Sequence, residues 1–267
     1  MTSTALDAAA ARYLADATLG NPIRDMNPLI LLGCIAATAA IGVAAPGWII
    51  PLAAGAVFVL VGFLGGKGRS YLMTFLKLWA GVGLILFVLR ALLTRGGRVL
   101  VPLGPISVTT AGIDAGLRFA TVVMAICAAA TLFFALVPMR HLMLALEHIG
   151  VSPRVSYVLL ASFQSIADLG ATARVVLDAQ KARGIETEGS PLVRVRAFFP
   201  VLAPVFLSAM SATEERAIAL DARAFNREGA HTSLVRLRRT RPWEWGALTL
   251  LVLAAVAAVI GGVLGWF

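Results

Sequence analysis

Residues 245–267, WGALTLLVLAAVAAVIGGVLGWF, form a run of 23 residues without a charged side chain. A helix needs about 20 mainly apolar residues to cross the hydrocarbon core of a bilayer. The composition of the whole chain also suits a lipid environment, because 59% of its 267 residues are hydrophobic and 14% are charged. An average soluble domain carries about 25% charged residues. The sequence therefore predicts an integral membrane protein.

Four more apolar stretches precede this run, at residues 28–44, 48–65, 71–93 and 112–137. Between the last two, TRGGRVLVPLGPISVT (94–109) has short β-branched runs punctuated by Gly and Pro, which predicts a small hairpin. The predicted fold is all-α, with about five transmembrane helices. Residues 1–20 lack a basic start followed by an apolar core, so we do not predict a cleaved signal peptide.

The charges are concentrated in one segment, residues 138–242, which holds 14 of the 23 basic residues and nine acidic ones. Basic residues gather in cytoplasmic loops because they resist translocation. We therefore expect a membrane domain of four helices (1–137), a cytoplasmic domain (138–242) and a C-terminal transmembrane helix (243–267), with the N-terminus in the cytoplasm. The chain has a net charge of +9. Nucleic acid is nevertheless not an expected partner, because no basic run is interleaved with exposed aromatic residues.

Two long helices are predicted in the cytoplasmic segment, after a short one at 139–148. The first begins at Ser152-Pro153, a hydroxyl N-cap followed by Pro at the first helical position, and ends at Gly184, a typical C-cap. The second is predicted to begin near Pro204. Both begin apolar and end polar, as two helices leaving the bilayer face would.

Each long helix ends in an Ala-Arg-small tripeptide, Ala182-Arg183-Gly184 in the first and 222–224 in the second. Small neighbours let a helix end approach another backbone closely, and the guanidinium offers a rigid fork of donors. A cation is also favourable at the negative end of the helix dipole. The alternative is that these arginines hold the lipid surface or cap their own helices. The tripeptide residues of the second helix are Ala222, Arg223 and Ala224.

These two tripeptides resemble the signatures of a known family, the transmembrane T component of energy-coupling factor (ECF) transporters, which includes cobalt, biotin and shared vitamin systems. The first match is the stretch Gln180-Lys181-Ala182-Arg183-Gly184. The second is ALDARAF at residues 219–225, with Asp221 where the family usually has Glu and Ala224 where it usually has Gly.

The resemblance implies a non-catalytic coupling subunit without a cofactor or metal of its own. Two cytoplasmic ATPase subunits would each receive one signature, with Arg183 and Arg223 docking and Gln180 and Asp221 in support. The long helices would carry ATPase closure to a small membrane-embedded substrate-binding (S) subunit, for uptake of a vitamin or a transition metal ion across the plasma membrane. The transported substrate cannot be read from this chain, since the S subunit binds it.

Other readings of individual residues are weaker. Lys77 and Arg90 could line an ion path, but each lies near a helix end and can reach the interface. His141 and His148 share a helix face but have no third ligand on it. The stretch GFLGGKG departs from the phosphate-loop pattern. The competing functions are an integral membrane enzyme, for which no catalytic motif is present, and a secondary transporter, for which we find no internal repeat.

Overall fold

The computed structural model describes residues 20–94, 96, 98–103, 106–184, 191–225, 227, 238 and 240–264. The chain divides into two compact units. The membrane unit comprises Met1–Gly150 and Leu234–Phe267, and the hairpin unit comprises Val151–Ser233. The predictions for the N-terminal 19 residues, including the absence of a signal peptide, lie outside the described residues.

The membrane unit contains the five predicted apolar helices, so the predicted all-α membrane fold is confirmed. Three are long and apolar enough to span a bilayer, and the other two have 17 and 16 residues. A π-helical turn, Trp79–Gly83, interrupts the helix that spans Gly68–Leu93. In chain order the elements are α1 Pro28–Ala44, α2 Ile49–Leu64, α3 Gly68–Leu93, β1 Val99–Leu103, β2 Ile106–Thr109, α4 Thr110–Leu136, α5 Met139–His148 and, after the hairpin unit, α8 Pro242–Val263.

The predicted hairpin between α3 and α4 is present. Strands β1 and β2 pair antiparallel, with Val99 opposite Thr109 and Leu103 opposite Ile106, and the register shifts once between Val99 and Val101. Thr109 then caps α4, since its hydroxyl accepts a hydrogen bond from the Gly112 amide at 3.0 Å. The hairpin is therefore connected to the next transmembrane helix without an intervening loop.

Helix α4 forms the centre of the membrane unit. Ala128, Leu132 and Leu136 on this helix are fully buried, and the Tyr71 hydroxyl of α3 donates to the Ala128 carbonyl at 3.0 Å. Gly112 and Gly116, four residues apart, face the backbone of α3, and a Cβ at either position would collide with a carbonyl oxygen of that helix. Such small-xxx-small pairs allow close helix contact in lipid, where packing rather than hydrophobicity drives association.

Helices α1 and α8 pack side by side in parallel. A Cβ on Gly33 would lie 2.6 Å from the Leu248 side chain, and one on Gly262 would lie 3.0 Å from the Ala44 carbonyl oxygen. The C-terminal helix thus packs against the first apolar helix of the chain. The short helix α5 also belongs to the membrane unit. The division into functional domains at 137 and 242 stays a prediction, because these units are defined by packing and not by side of the membrane.

The hairpin unit consists of two long helices, α6 (Pro153–Ala182) and α7 (Pro191–Ala222). The start of α6 is as predicted, with the Ser152 hydroxyl accepting from the Val155 amide at 3.4 Å. The predicted start of the second helix near Pro204 is wrong, because α7 begins at Pro191 and continues through Pro200 and Pro204.

Three contacts show that α6 and α7 run antiparallel. The rings of Tyr157 and Phe225 lie 5.2 Å apart, the Arg216 guanidinium contacts Asp168 in the middle, and the Gln180 side chain reaches the Pro200 carbonyl. The prediction that both helices leave the bilayer by their apolar starts is therefore wrong. Those starts lie at opposite ends of an antiparallel pair.

Candidate functional site: two arginine-bearing helix ends

The first candidate motif forms the end of α6. Arg183 is the C-cap residue, and its amide donates to the carbonyls of Ala179 and Gln180 at 3.3 and 3.1 Å. Gly184 then turns the chain with φ +84°, a conformation that glycine adopts without steric cost. The Arg183 side chain is exposed, and the described residues provide it with no hydrogen-bond or ion-pair partner.

The second motif ends α7 with the same turn. Ala224 has φ 55° and is the one non-glycine residue in the described ranges with a positive φ. The Ala224 amide donates to the Asp221 carbonyl at 2.9 Å and the Phe225 amide to the Leu220 carbonyl at 3.0 Å. The latter bond spans five residues, as in a Schellman motif. Ala224 thus takes the conformation that Gly184 takes in the first motif.

Both motifs place an arginine at the negative end of a helix dipole. Arg223, like Arg183, is exposed and has no partner within the described part of the chain. The small residues on either side are exposed as well: Ala182, Gly184, Ala222 and Ala224. Of the two supporting residues, Asp221 is exposed whereas Gln180 is buried, with 9% of its surface accessible.

The two motifs lie at opposite ends of the hairpin. Gln180, three residues before Arg183, contacts Pro200 of α7, and Arg223 lies 23 positions beyond Pro200 (223 − 200). Arg183 lies three residues further in the opposite direction, so at 1.5 Å per residue the two arginines are separated by about 39 Å along the hairpin. This separation exceeds the diameter of a small domain, about 30 Å, so two globular partners could bind at the same time.

Between these ends, α6 and α7 are joined by side-chain contacts that the sequence alone does not indicate. An Arg216 Nη atom lies 2.6 Å from the Asp168 carboxylate, and the other donates to the Ser165 hydroxyl at 3.0 Å. Arg216 is therefore paired within the hairpin. Directly after the second tripeptide, the Phe225 ring packs against the Tyr157 ring of α6 at an interplanar angle of 55°. Both contacts join residues more than 45 positions apart, so no local pattern indicates them.

Comparison of the sequence with known proteins identifies the family of this chain. The family model described as "CbiQ: Cobalt transport protein" matches residues 20–234, a range that includes the whole hairpin unit. The chain belongs to the CbiQ family. A protein from Listeria innocua called energy-coupling factor transporter transmembrane protein EcfT is 34% identical over 193 residues, covering 68% of this chain and 70% of the relative.

Two further relatives extend the comparison of this CbiQ family member. An EcfT protein of Limosilactobacillus fermentum is 26% identical over 201 residues, which is 70% of this chain and 75% of that protein. A putative ABC transporter ATP-binding protein of Bifidobacterium longum is 31% identical over 185 residues, 65% of this chain but 22% of that protein. The resemblance to ECF T components is thereby confirmed, and the chain is a multi-pass membrane component of an energy-coupling transporter.

The other titratable residues that the sequence singles out in this CbiQ chain are His141, His148, Lys77 and Arg90. No group of three or more His, Cys, Asp or Glu side chains that could hold a metal ion occurs in the described ranges. His141 is half-buried and His148 is exposed; desolvation, with the nearby positive charge of Arg140, lowers the pKa of His141 below its usual value. Lys77 and Arg90 are exposed, and the Arg90 guanidinium lies 5.6 Å from the centre of the Phe119 ring.

Proposed function

We propose that this chain is the energy-coupling transmembrane subunit of an ECF-type ABC importer that takes up a vitamin or a transition metal ion. It would be non-catalytic, passing the conformational change of two ATPase subunits to a membrane-embedded S subunit. The observation that carries the proposal is a pair of exposed arginines at opposite ends of one antiparallel hairpin, neither of which has a partner among the residues that the structure describes. The names of the EcfT relatives and of the ATP-binding relative support an ABC-type ATPase partner.

Arg183 and Arg223 are the proposed ATPase-docking residues. A guanidinium without an internal partner can give its donors to carboxylate or carbonyl oxygens of a groove. The exposed Ala and Gly residues beside each arginine leave room for the walls of that groove. Because both motifs end in the same left-handed turn, each would present its arginine to an ATPase in a similar way.

An exposed apolar band on the hairpin is the proposed contact for the S subunit. On α6 and on α7 the large apolar side chains recur every three to seven residues, which places them on one flank of each helix. Because α6 and α7 run antiparallel, the members near the start of α6 and those nearer the start of α7 lie toward opposite ends of the pair. The members of the band are 38–69% exposed: Val155, Leu159, Ile166 and Leu169 on α6, and Phe199, Leu202, Phe206 and Met210 on α7.

Exposed apolar surface of this kind marks an interaction site. A membrane-embedded subunit has an apolar exterior and therefore matches the band. This surface is a stronger candidate for the S subunit than the small-residue faces of the spanning helices, because glycines such as Gly33 and Gly262 are already used for packing within the chain.

The proposed orientation places the N-terminus and the segment 138–242 in the cytoplasm of the cell, with the transmembrane helices in the plasma membrane. The concentration of 14 of the 23 basic residues in that segment supports this orientation, following the positive-inside rule. ATPases that use cytoplasmic ATP would then meet both arginines on the same side of the membrane.

Charge reversal tests the docking role. We expect Arg183→Glu with Arg223→Glu to reduce co-purification of the ATPase subunits in detergent more than tenfold, since reversal places like charges in each groove and a tenfold loss needs only about 1.4 kcal/mol. The matched control is Arg174→Glu, an exposed α6 arginine away from both ends, which should retain the ATPases. Full recovery of the ATPases with the double variant, inserted normally in the membrane, would refute the docking role.

A further inference from the structure

The proline pair inside α7 leaves helix carbonyls without their usual donors. Proline has no amide hydrogen, so each interior proline deprives the carbonyl four residues earlier of its helical hydrogen bond. Pro204 therefore leaves the carbonyl of Pro200 without its helical donor. Helix α7 nevertheless continues through both prolines, so another group has to supply a hydrogen bond to this carbonyl if it is to be satisfied.

The missing donor comes from α6. The Gln180 side-chain amide donates to the Pro200 carbonyl at 3.3 Å. Gln180 is buried, with 9% of its surface accessible, and Val201 beside the acceptor is 4% exposed. The bond is thus part-buried, with the donor side chain inside and Pro200 itself exposed, and a polar group left unsatisfied on the buried side of such a contact carries a cost.

The position of this bond in the chain relates it to function. Gln180 lies three residues before Arg183 on the last turn of α6, and its acceptor lies at the start of the apolar half of α7. We propose that Gln180 is a positioning residue that ties the first arginine-bearing helix end to the proline pair of α7. A displacement of Arg183 is thereby transmitted to the part of α7 that carries Phe206 and Met210. This inference rests on the proposed function, since it assumes an ATPase at Arg183.

Hydrogen exchange on the full-length chain in nanodiscs tests the bond without any ATPase present. We expect Gln180→Leu, which keeps the volume but removes the donor, to speed exchange of the Arg183 and Gly184 amides about tenfold, as loss of one part-buried hydrogen bond worth about 1.4 kcal/mol predicts. The matched control is Gln164→Leu, at an exposed position of α6. Pro204→Ala restores an amide hydrogen for the Pro200 carbonyl, so in that background the effect of Gln180→Leu should shrink to about twofold.

A second readout separates positioning from simple stability. With Gln180→Leu, the ATPase subunits should still co-purify within about twofold of wild type, because Arg183 remains exposed, while substrate uptake falls about tenfold. A purely structural role would lower recovery and uptake together and would overturn the inference. Unchanged exchange, or an equal effect in the Pro204→Ala background, would overturn it as well. These exchange results do not depend on docking, so they stand apart from the charge-reversal test.

Discussion

Ala224 allows a test of how much the left-handed turn at the second motif destabilises the end of α7. Its φ of 55° is left-handed, and this conformation costs an L-residue with a Cβ about 1–2 kcal/mol. Glycine avoids that cost but loses about 0.5–1 kcal/mol through its greater freedom in the unfolded chain. We therefore expect Ala224→Gly to stabilise the last turn of α7 by about 0.7 kcal/mol, a factor of about three in its opening equilibrium.

The reciprocal change gives the matched control. Gly184 has φ +84°, and a Cβ added there would meet no atom within 4 Å. Gly184→Ala should therefore destabilise the end of α6 by a similar amount for conformational reasons alone, without any steric collision.

Amide hydrogen exchange measures the opening of the last turns of α6 and α7 directly. The Phe225 amide, which donates to the Leu220 carbonyl, should exchange about threefold more slowly in Ala224→Gly. The Gly184 amide position in Gly184→Ala should exchange faster by a similar factor. Equal exchange of Phe225 in the two proteins, or faster exchange in Ala224→Gly, would show that the turn at Ala224 carries no strain and that the argument is wrong.

Two further predictions concern helix packing. In a double-mutant cycle with Arg216→Ala and Asp168→Ala, we expect a coupling of about 0.5 kcal/mol in unfolding, because both side chains are partly exposed and such pairs are weak. The side chains are 40% and 50% exposed, so 1 M NaCl should nearly abolish the coupling, and a coupling that persists in that salt contradicts the reasoning. Gly112→Ala should lower stability in detergent by about 1–3 kcal/mol, since its Cβ would overlap the Ala91 carbonyl oxygen. Gly246→Ala, whose Cβ meets nothing within 4 Å, serves as the control in the same thermal unfolding assay, and equal midpoints for the two variants would exclude the close approach of α3 and α4.

Local signals predicted most elements of the fold. The five apolar stretches became helices because a bilayer leaves the backbone few alternatives, and the Ser152 cap fixes the start of α6 as expected. The start of α7 was misplaced by 13 residues (204 − 191), because an interior proline usually ends a helix. That rule fails here, since a side chain from another helix supplies the donor that the proline lacks.

The relative direction of α6 and α7 could not be read from their composition. Each helix is apolar first and polar later, and this pattern is compatible with either direction. The direction is set by contacts between distant residues, such as Arg216 with Asp168 and Tyr157 with Phe225. The candidate motifs themselves needed only the local sequence, and their placement at opposite ends needed the structure.

An antiparallel helix pair has an approximate two-fold axis that runs between the helices, perpendicular to both. Rotation about this axis exchanges the two C-terminal ends, and with them Arg183 and Arg223 and the left-handed turns at Gly184 and Ala224. A single chain without internal duplication thus offers two quasi-equivalent binding motifs related by this two-fold axis. A symmetric dimer of one ATPase could bind both motifs with the same groove, so one copy of this subunit would be enough for two ATPase subunits.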